Sequence, residues 1–137
     1  MSLHPILEEN SFFITNMPLC QVRLINNCLF PWVILVPNIP NVKEIIDLTW
    51  DDRLKLMEEI CVVSEKMKEI FTTDKINVAS LGNEVSQLHV HIIGRYRSDD
   101  AWPKPVWGNG SKPYNDKAKK LMIEHLQPLI YVTDKKH

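Results

Sequence analysis

The chain is poor in glycine, with 4 among 137 residues, holds only 3 cysteines, and carries no surplus of either charge, the net value being −1. With no Gly/Ser tract, no internal repeat and no low-complexity stretch, nothing marks a linker or a solenoid, and residues 1–137 read as a single domain. Cys20, Cys28 and Cys61 are odd in number and form no CxxC pair. That pattern argues against a disulfide framework and for reduced thiols packed in the core of a cytoplasmic protein. The most apolar stretch, Trp32 to Val36, is far too short to span a bilayer. The opening segment "MSLHPILEENSFFITNMP" lacks the basic region and apolar run of a secretory signal. The balanced charge supplies no global field to hold nucleic acid or an anionic membrane, so neither is expected as a partner. Any phosphate has to be bound by a local site.

What the chain does have is periodicity. Ser11 to Asn16 and Leu19 to Ile25 read as short strands split by a proline-bearing turn, and "WVILVP" reads as a buried strand closed by Pro37. "LTWDDRLKLMEEICVVSEKMKEIFTT" predicts one long helix capped by Thr49, with Asp52 in its first turn. Leu54, Met57, Cys61, Ser64, Met67 and Phe71 recur at three-to-four spacing and are predicted to face the core. Lys75 to Ser80 is a further strand, and Asp116 to Leu126 a short C-terminal helix before a frayed basic tail. Antiparallel strands with two helices give an α+β layer architecture.

The segment "QLHVHII" carries the chemistry. From Gln87 to Ile93 polar and apolar residues alternate strictly, so Leu88, Val90 and Ile92 point to one face and Gln87, His89 and His91 to the other. Residues two apart on a strand lie about 7 Å from each other on a shared face. Three readings fit such a row: an ordinary solvated strand face, a pair of zinc ligands, or a nucleophilic imidazole whose neighbours grip an anion. The zinc reading lacks a third and fourth ligand at motif-like spacing.

Gln87-Leu88-His89-Val90-His91-Ile92-Ile93 resembles the signature of the histidine-triad (HIT) proteins, His-φ-His-φ-His-φ-φ with φ apolar. It looks most like the short bacterial members that begin the motif with glutamine. "FPWVILVP" (30–37), the long helix, "NVASLGN" (77–83) and "DDAWPKPVWG" (99–108) follow in the expected order, so the resemblance covers most of the chain. It implies a HIT-like α+β fold, an antiparallel sheet of about five strands with one long central helix and a short C-terminal helix. It further implies a cytoplasmic homodimeric nucleotide hydrolase or nucleotidyl transferase acting at the α-phosphorus of dinucleoside polyphosphates or nucleoside phosphoramidates. The nucleotide is expected to be a purine one, and no cofactor or metal is needed to make the nucleophile.

On that resemblance His89 is the nucleophile that forms a nucleotidyl-histidine, and His91 donates to phosphate or leaving-group oxygens. A backbone carbonyl of the motif strand fixes the tautomer of His89. Two departures stand out. Gln87 replaces the first triad histidine and cannot carry a proton, and Trp32 occupies the place of a further histidine at the start of its strand. A nucleotide-binding module or sensor with little turnover is therefore the rival reading.

The remaining candidates surround the motif. Asn83 is a phosphate or leaving-group ligand and Gly82 a tight-turn residue, with Asn77 just before them; "LGN" could equally be a simple turn. Glu84 would repel phosphate and is expected to turn away or pair with Arg95 or Arg97. Asn26 or Asn27 is placed on the ribose hydroxyls, and Phe12, Leu24 and Leu29 are offered as an apolar slot for the base. The loop bearing Trp102 and Trp107 is a lid, a dimer strap or a flap on its own domain, with Trp102 as a substrate contact and Lys104 or Arg95 able to meet phosphate.

Overall fold

The structure, a computed structural model, describes residues 1–133, with side chains through residue 128; of the basic tail expected after Leu126, residues 134–137 lie outside the described residues. In chain order the elements are α1 (Pro5–Glu9), β1 (Ser11–Asn16), β2 (Cys20–Ile25), β3 (Trp32–Pro37), α2 (Trp50–Phe71), β4 (Lys75–Ser80), β5 (Val90–Arg95) and α3 (Asp116–Thr133). The strands form one antiparallel sheet in the order β1-β2-β3-β5-β4. This is the α+β arrangement expected from the strand and helix periodicities. α3 begins at Asp116 as expected but runs beyond Leu126, through Pro128, to Thr133.

The sheet is covered on both faces. One face presents Val22, Leu24, Val33, Leu35, Val90 and Ile92 to Leu56, Ile60, Val63 and Met67 of α2 and Leu126 of α3. Every residue of β3 and β5 is buried, because the opposite face is covered too. There Ile34 and Val36 pack with Leu7 of α1, while Phe30, Trp32 and Ile93 pack with Ala101 and Val106 of the 98–111 loop. Gly94 is required by this packing, since a Cβ there would lie 2.7 Å from Thr73 Cγ2 and 2.8 Å from Pro31 Cγ.

α2 starts as its sequence dictates: the Thr49 side chain accepts from the Asp52 N–H at 3.2 Å. Its buried face matches the predicted one toward the C-terminal end, at Met67 and Phe71, but not in the first half. Leu56, Glu59, Ile60, Val63 and Met67 are buried, whereas Leu54 and Met57 are 57% and 60% exposed and Cys61 is also exposed. Two apolar stripes about 100° apart satisfy helical spacing equally well, and contact with the sheet selects one. A carboxylate also enters the core. Glu59 accepts from the backbone N–H groups of Leu19 and Cys20 at 2.7 and 2.9 Å, satisfying donors at the start of β2. Of the three cysteines only Cys20 is in the core; Cys28 and Cys61 are exposed. Burial, reinforced by Glu59, raises the Cys20 thiol pKa far above its ordinary range.

Candidate active site

β5 is the inner strand next to β3, and register fixes what faces what. His91 lies opposite Ile34 of β3 and Ala79 of β4, and Trp32 lies opposite Ile93. His91 therefore shares the loop-covered face with Trp32, one residue pair along the sheet. His89 stands just before the strand begins, and Leu88 leaves the ladder to donate its N–H to the Val42 carbonyl at 3.0 Å. The predicted alternation thus stops short of Gln87.

Both imidazoles are oriented. His89 Nδ1 is 2.7 Å from the Gln87 carbonyl oxygen, so Nδ1–H donates and Nε2 keeps its lone pair. Trp32 Nε1–H donates to His91 Nδ1 at 3.0 Å, which leaves the neutral His91 ring with its proton on Nε2. That Nε2 is buried and has no hydrogen-bond partner among the described residues. Burial chiefly, and the charge of His89 second, lower the His91 pKa to about 4, against an opposing effect of the Leu81 backbone. The two imidazole rings lie 4.8 Å apart, and Trp107 stands edge-on to His91 at 5.0 Å and to Trp32 at 5.6 Å.

These rings form one wall of a cavity of about 430 Å³. Ile6, Leu7, Ile25 and Val85 add apolar surface, and Asn83 and Glu84 add polar groups. A second hollow of about 370 Å³, holding Asn26 and Asn27, shares Asn10, Ile25, Trp32 and Trp107 with the first. Among the described residues no lysine or arginine lines either. An anion bound here would meet the histidine and asparagine donors and also Glu84, which lines the cavity rather than turning away as expected.

The other candidates fall elsewhere. The Gln87 side chain turns away to accept from His4 N–H at 2.7 Å and to donate to Ser2 O at 3.2 Å. It lines a separate hollow with residues 1–5 and 40–43, not the histidine cavity. Asn77 accepts from Arg95 at 2.8 Å, and Arg95 is itself buried on Asp99 through bonds of 2.8 and 3.1 Å and on the Lys104 carbonyl at 2.7 Å. Neither Arg95 nor the exposed Lys104 reaches the cavity, and Glu84 is in none of the three salt bridges among the described residues. Trp102 packs over Arg95 at 5.7 Å, leaving Trp107 as the loop's tryptophan in the cavity. Gly82 borders the cavity without lining it, and its lack of a side chain answers a steric need, since a Cβ would lie 2.9 Å from the Val85 carbonyl oxygen.

Asn26 and Asn27 fasten the 110–114 segment: Asn26 accepts from Tyr114 N–H at 2.8 Å, and Asn27 accepts from Leu29 and Lys112 N–H and donates to the Gly110 carbonyl. Phe12, Leu24 and Leu29 do not form a slot here. Leu24 is fully buried on the helix-covered face, Phe12 packs against that core, and Leu29 packs beside Phe30. The apolar wall comes instead from α1 and Ile25. Pro5 at the first turn and Glu8 behind it were the sequence signals for that helix.

No curated protein matches the chain. Many solved structures match, three of them with about 40% identity along nearly the whole length of the chain. A histidine triad protein from Bradyrhizobium japonicum is 44% identical with a TM-score of 0.92, covering 94% of this chain and 97% of that one. One from Marinobacter aquaeolei is 42% identical with a TM-score of 0.93, covering 96% of each chain. A histidine triad (HIT) protein from Sinorhizobium meliloti is 38% identical with a TM-score of 0.89, covering 91% and 93%. The HIT domain profile itself matches residues 7–98, a span holding both oriented histidines. The chain belongs to the HIT domain family, known as nucleotide-binding hydrolases or transferases.

Proposed function

We propose that the protein is a nucleotide hydrolase or nucleotidyl transferase in which His89 attacks the α-phosphorus of a dinucleoside polyphosphate or nucleoside phosphoramidate. The observation that carries this reading is the bond between His89 Nδ1 and the Gln87 carbonyl, because it leaves Nε2 as the nucleophilic atom of a ring lining the cavity. Attack forms an Nε2–P bond and expels the leaving group with its electron pair. Water then displaces the histidine from phosphorus. The buried Nε2–H of His91 supplies a donor for a phosphate oxygen, a group otherwise left unsatisfied at a cost of about 1–3 kcal/mol. Asn83 is a second donor to that oxygen. The base rests on Ile6, Leu7 and Ile25, and the ribose extends toward Asn26 and Asn27 in the adjoining hollow.

The protein works as a homodimer on this reading. Trp50, Leu54 and Met57 leave an apolar stripe on the outer side of α2, with Trp50 70% exposed.

His89→Ala tests the function. The variant is expected to bind nucleotide with little change, measured by calorimetry, while hydrolysis falls by about 1000-fold or more. Wild-type protein that binds nucleotide without turning over any member of a polyphosphate and phosphoramidate panel would overturn the enzyme reading and support a sensor.

A further inference from the structure

Proton supply distinguishes leaving groups at phosphorus. An amine or alkoxide leaves readily only if it takes a proton as its bond breaks, whereas a phosphate or pyrophosphate departs as a stable anion. Which groups here can give a proton is settled by a few contacts. Gln87 is turned out of the cavity, and among the described residues no lysine or arginine lines it. Glu84 brings a carboxylate, an acceptor. Among the described residues the two histidines remain, and His89 spends its Nε2 lone pair on phosphorus.

His91 is committed by its partner. Its Nδ1 accepts the Trp32 indole N–H at 3.0 Å, and both side chains are buried. To become imidazolium, His91 would have to place a proton on the nitrogen already facing that N–H, setting donor against donor. An indole cannot rotate or titrate to relieve this, as a histidine in its place could. The neutral ring still donates from Nε2, but giving that proton up would leave an imidazolate.

Resting on the reading of His89 as nucleophile, we infer that Trp32 is a positioning residue: its indole holds His91 as a neutral Nε2–H donor and so restricts the site to leaving groups that depart as anions. In the first step the His89 Nε2–P bond forms while the P–O bond to the leaving phosphate breaks, its electron pair staying on that oxygen. No proton moves. His91 steadies the anion by a hydrogen bond, and the His89 cation keeps its Nδ1–H on the Gln87 carbonyl. In the second step water adds to phosphorus, the N–P pair returns to Nε2, and the water proton passes to solvent or to Glu84.

The charges around His91 do not reverse this. His89 is on its own chain segment, and Glu84 lies in the cavity wall. From β2 the charge on that face is Arg23, across Ile34 and bonded to Ser11 and Gln21. Further along β5, Arg95 is neutralised by Asp99. β3 and β4 place only Ile34 and Ala79 opposite His91.

The test pairs imidazole ¹⁵N spectra across pH with steady-state kinetics on one nucleoside phosphoramidate and one dinucleoside polyphosphate, for wild type, Trp32→Phe and Trp32→His. In wild type His91 is expected as a single Nε2–H tautomer down to mildly acidic pH. Trp32→Phe keeps the bulk and removes the donor, so the His91 midpoint moves up and the tautomer is no longer fixed. Wild type is expected to favour the polyphosphate by about 100-fold or more in kcat/KM, and Trp32→His to narrow that ratio by about 10-fold or more, a part of the about 100-fold or greater gain that general-acid assistance supplies. A His91 tautomer and midpoint unmoved in Trp32→Phe would overturn the role of Trp32. Equal wild-type rates on the two substrates, with a fixed tautomer, would overturn the leaving-group restriction alone. Inertness toward both substrates would remove the restriction together with the proposed function, while the spectra still decide what Trp32 does.

Discussion

At the scale of single residues, the site rests on two imidazoles given opposite tasks by what touches their Nδ1 atoms. A carbonyl accepts a hydrogen bond from His89 and an indole donates one to His91, so one ring ends in a lone pair and the other in a donor. The pair was visible in the sequence because their i, i+2 spacing survives into the structure. Trp32 was legible only as a departure from a pattern, since its contact with His91 spans 59 residues. Gln87 was misplaced because strand alternation was carried back three residues before Val90, where the ladder begins. A pH dependence belongs to His91. Its pKa falls from 6.5 to about 4 on folding, so between those values the unfolded chain binds a proton that the folded one excludes. Stability is therefore full above about pH 6.5 and declines as pH falls toward 4, by on the order of 3 kcal/mol. Urea titrations at stepped pH check this, and His91→Phe is expected to flatten that part of the profile.

At the scale of elements, the strands and the start of α2 followed from alternation and capping, while the facing of α2 did not. Leu54 and Met57 obey the same spacing as Ile60 and Val63, and only the sheet discriminates between them. The 98–111 loop shows the same limit. Trp102 was expected as its substrate contact, but Trp107 lines the cavity, because Asp99 fixes the turn by accepting from Tyr96, Ala101 and Trp102 N–H and pairing with Arg95. Burial alone would raise the Asp99 pKa; Arg95 and those three N–H groups outweigh it and bring it down to about 2. Asp99→Ala strands a buried guanidinium and is expected to cost about 3–5 kcal/mol in chemical denaturation. Because the loop carries Trp107 into the cavity, nucleotide binding should weaken in the same variant, whereas a surface control such as Lys104→Ala should change neither.

At the scale of the whole molecule, a sheet sealed by helices on one face and by α1 and the 98–111 loop on the other makes a rigid floor for the cavity. Among the described residues no helix is long and apolar enough to cross a membrane, and none of their His, Cys, Asp and Glu side chains gather in threes to hold a metal ion. The outer stripe of α2 gives the proposed dimer a specific prediction. Leu54→Glu with Met57→Glu is expected to shift wild-type dimer to monomer in sedimentation velocity while leaving the circular dichroism spectrum unchanged. A wild-type monomer would contradict the dimer without touching the site. The site's central claim is covalent, and it is tested most directly by trapping: protein mixed with a dinucleoside polyphosphate, quenched in alkali because histidine phosphoramidates are acid-labile, and analysed by peptide mass spectrometry. The expected result is one nucleotidyl group on His89, absent from His89→Ala. An adduct on another residue, or turnover in His89→Ala at the wild-type rate, would contradict it.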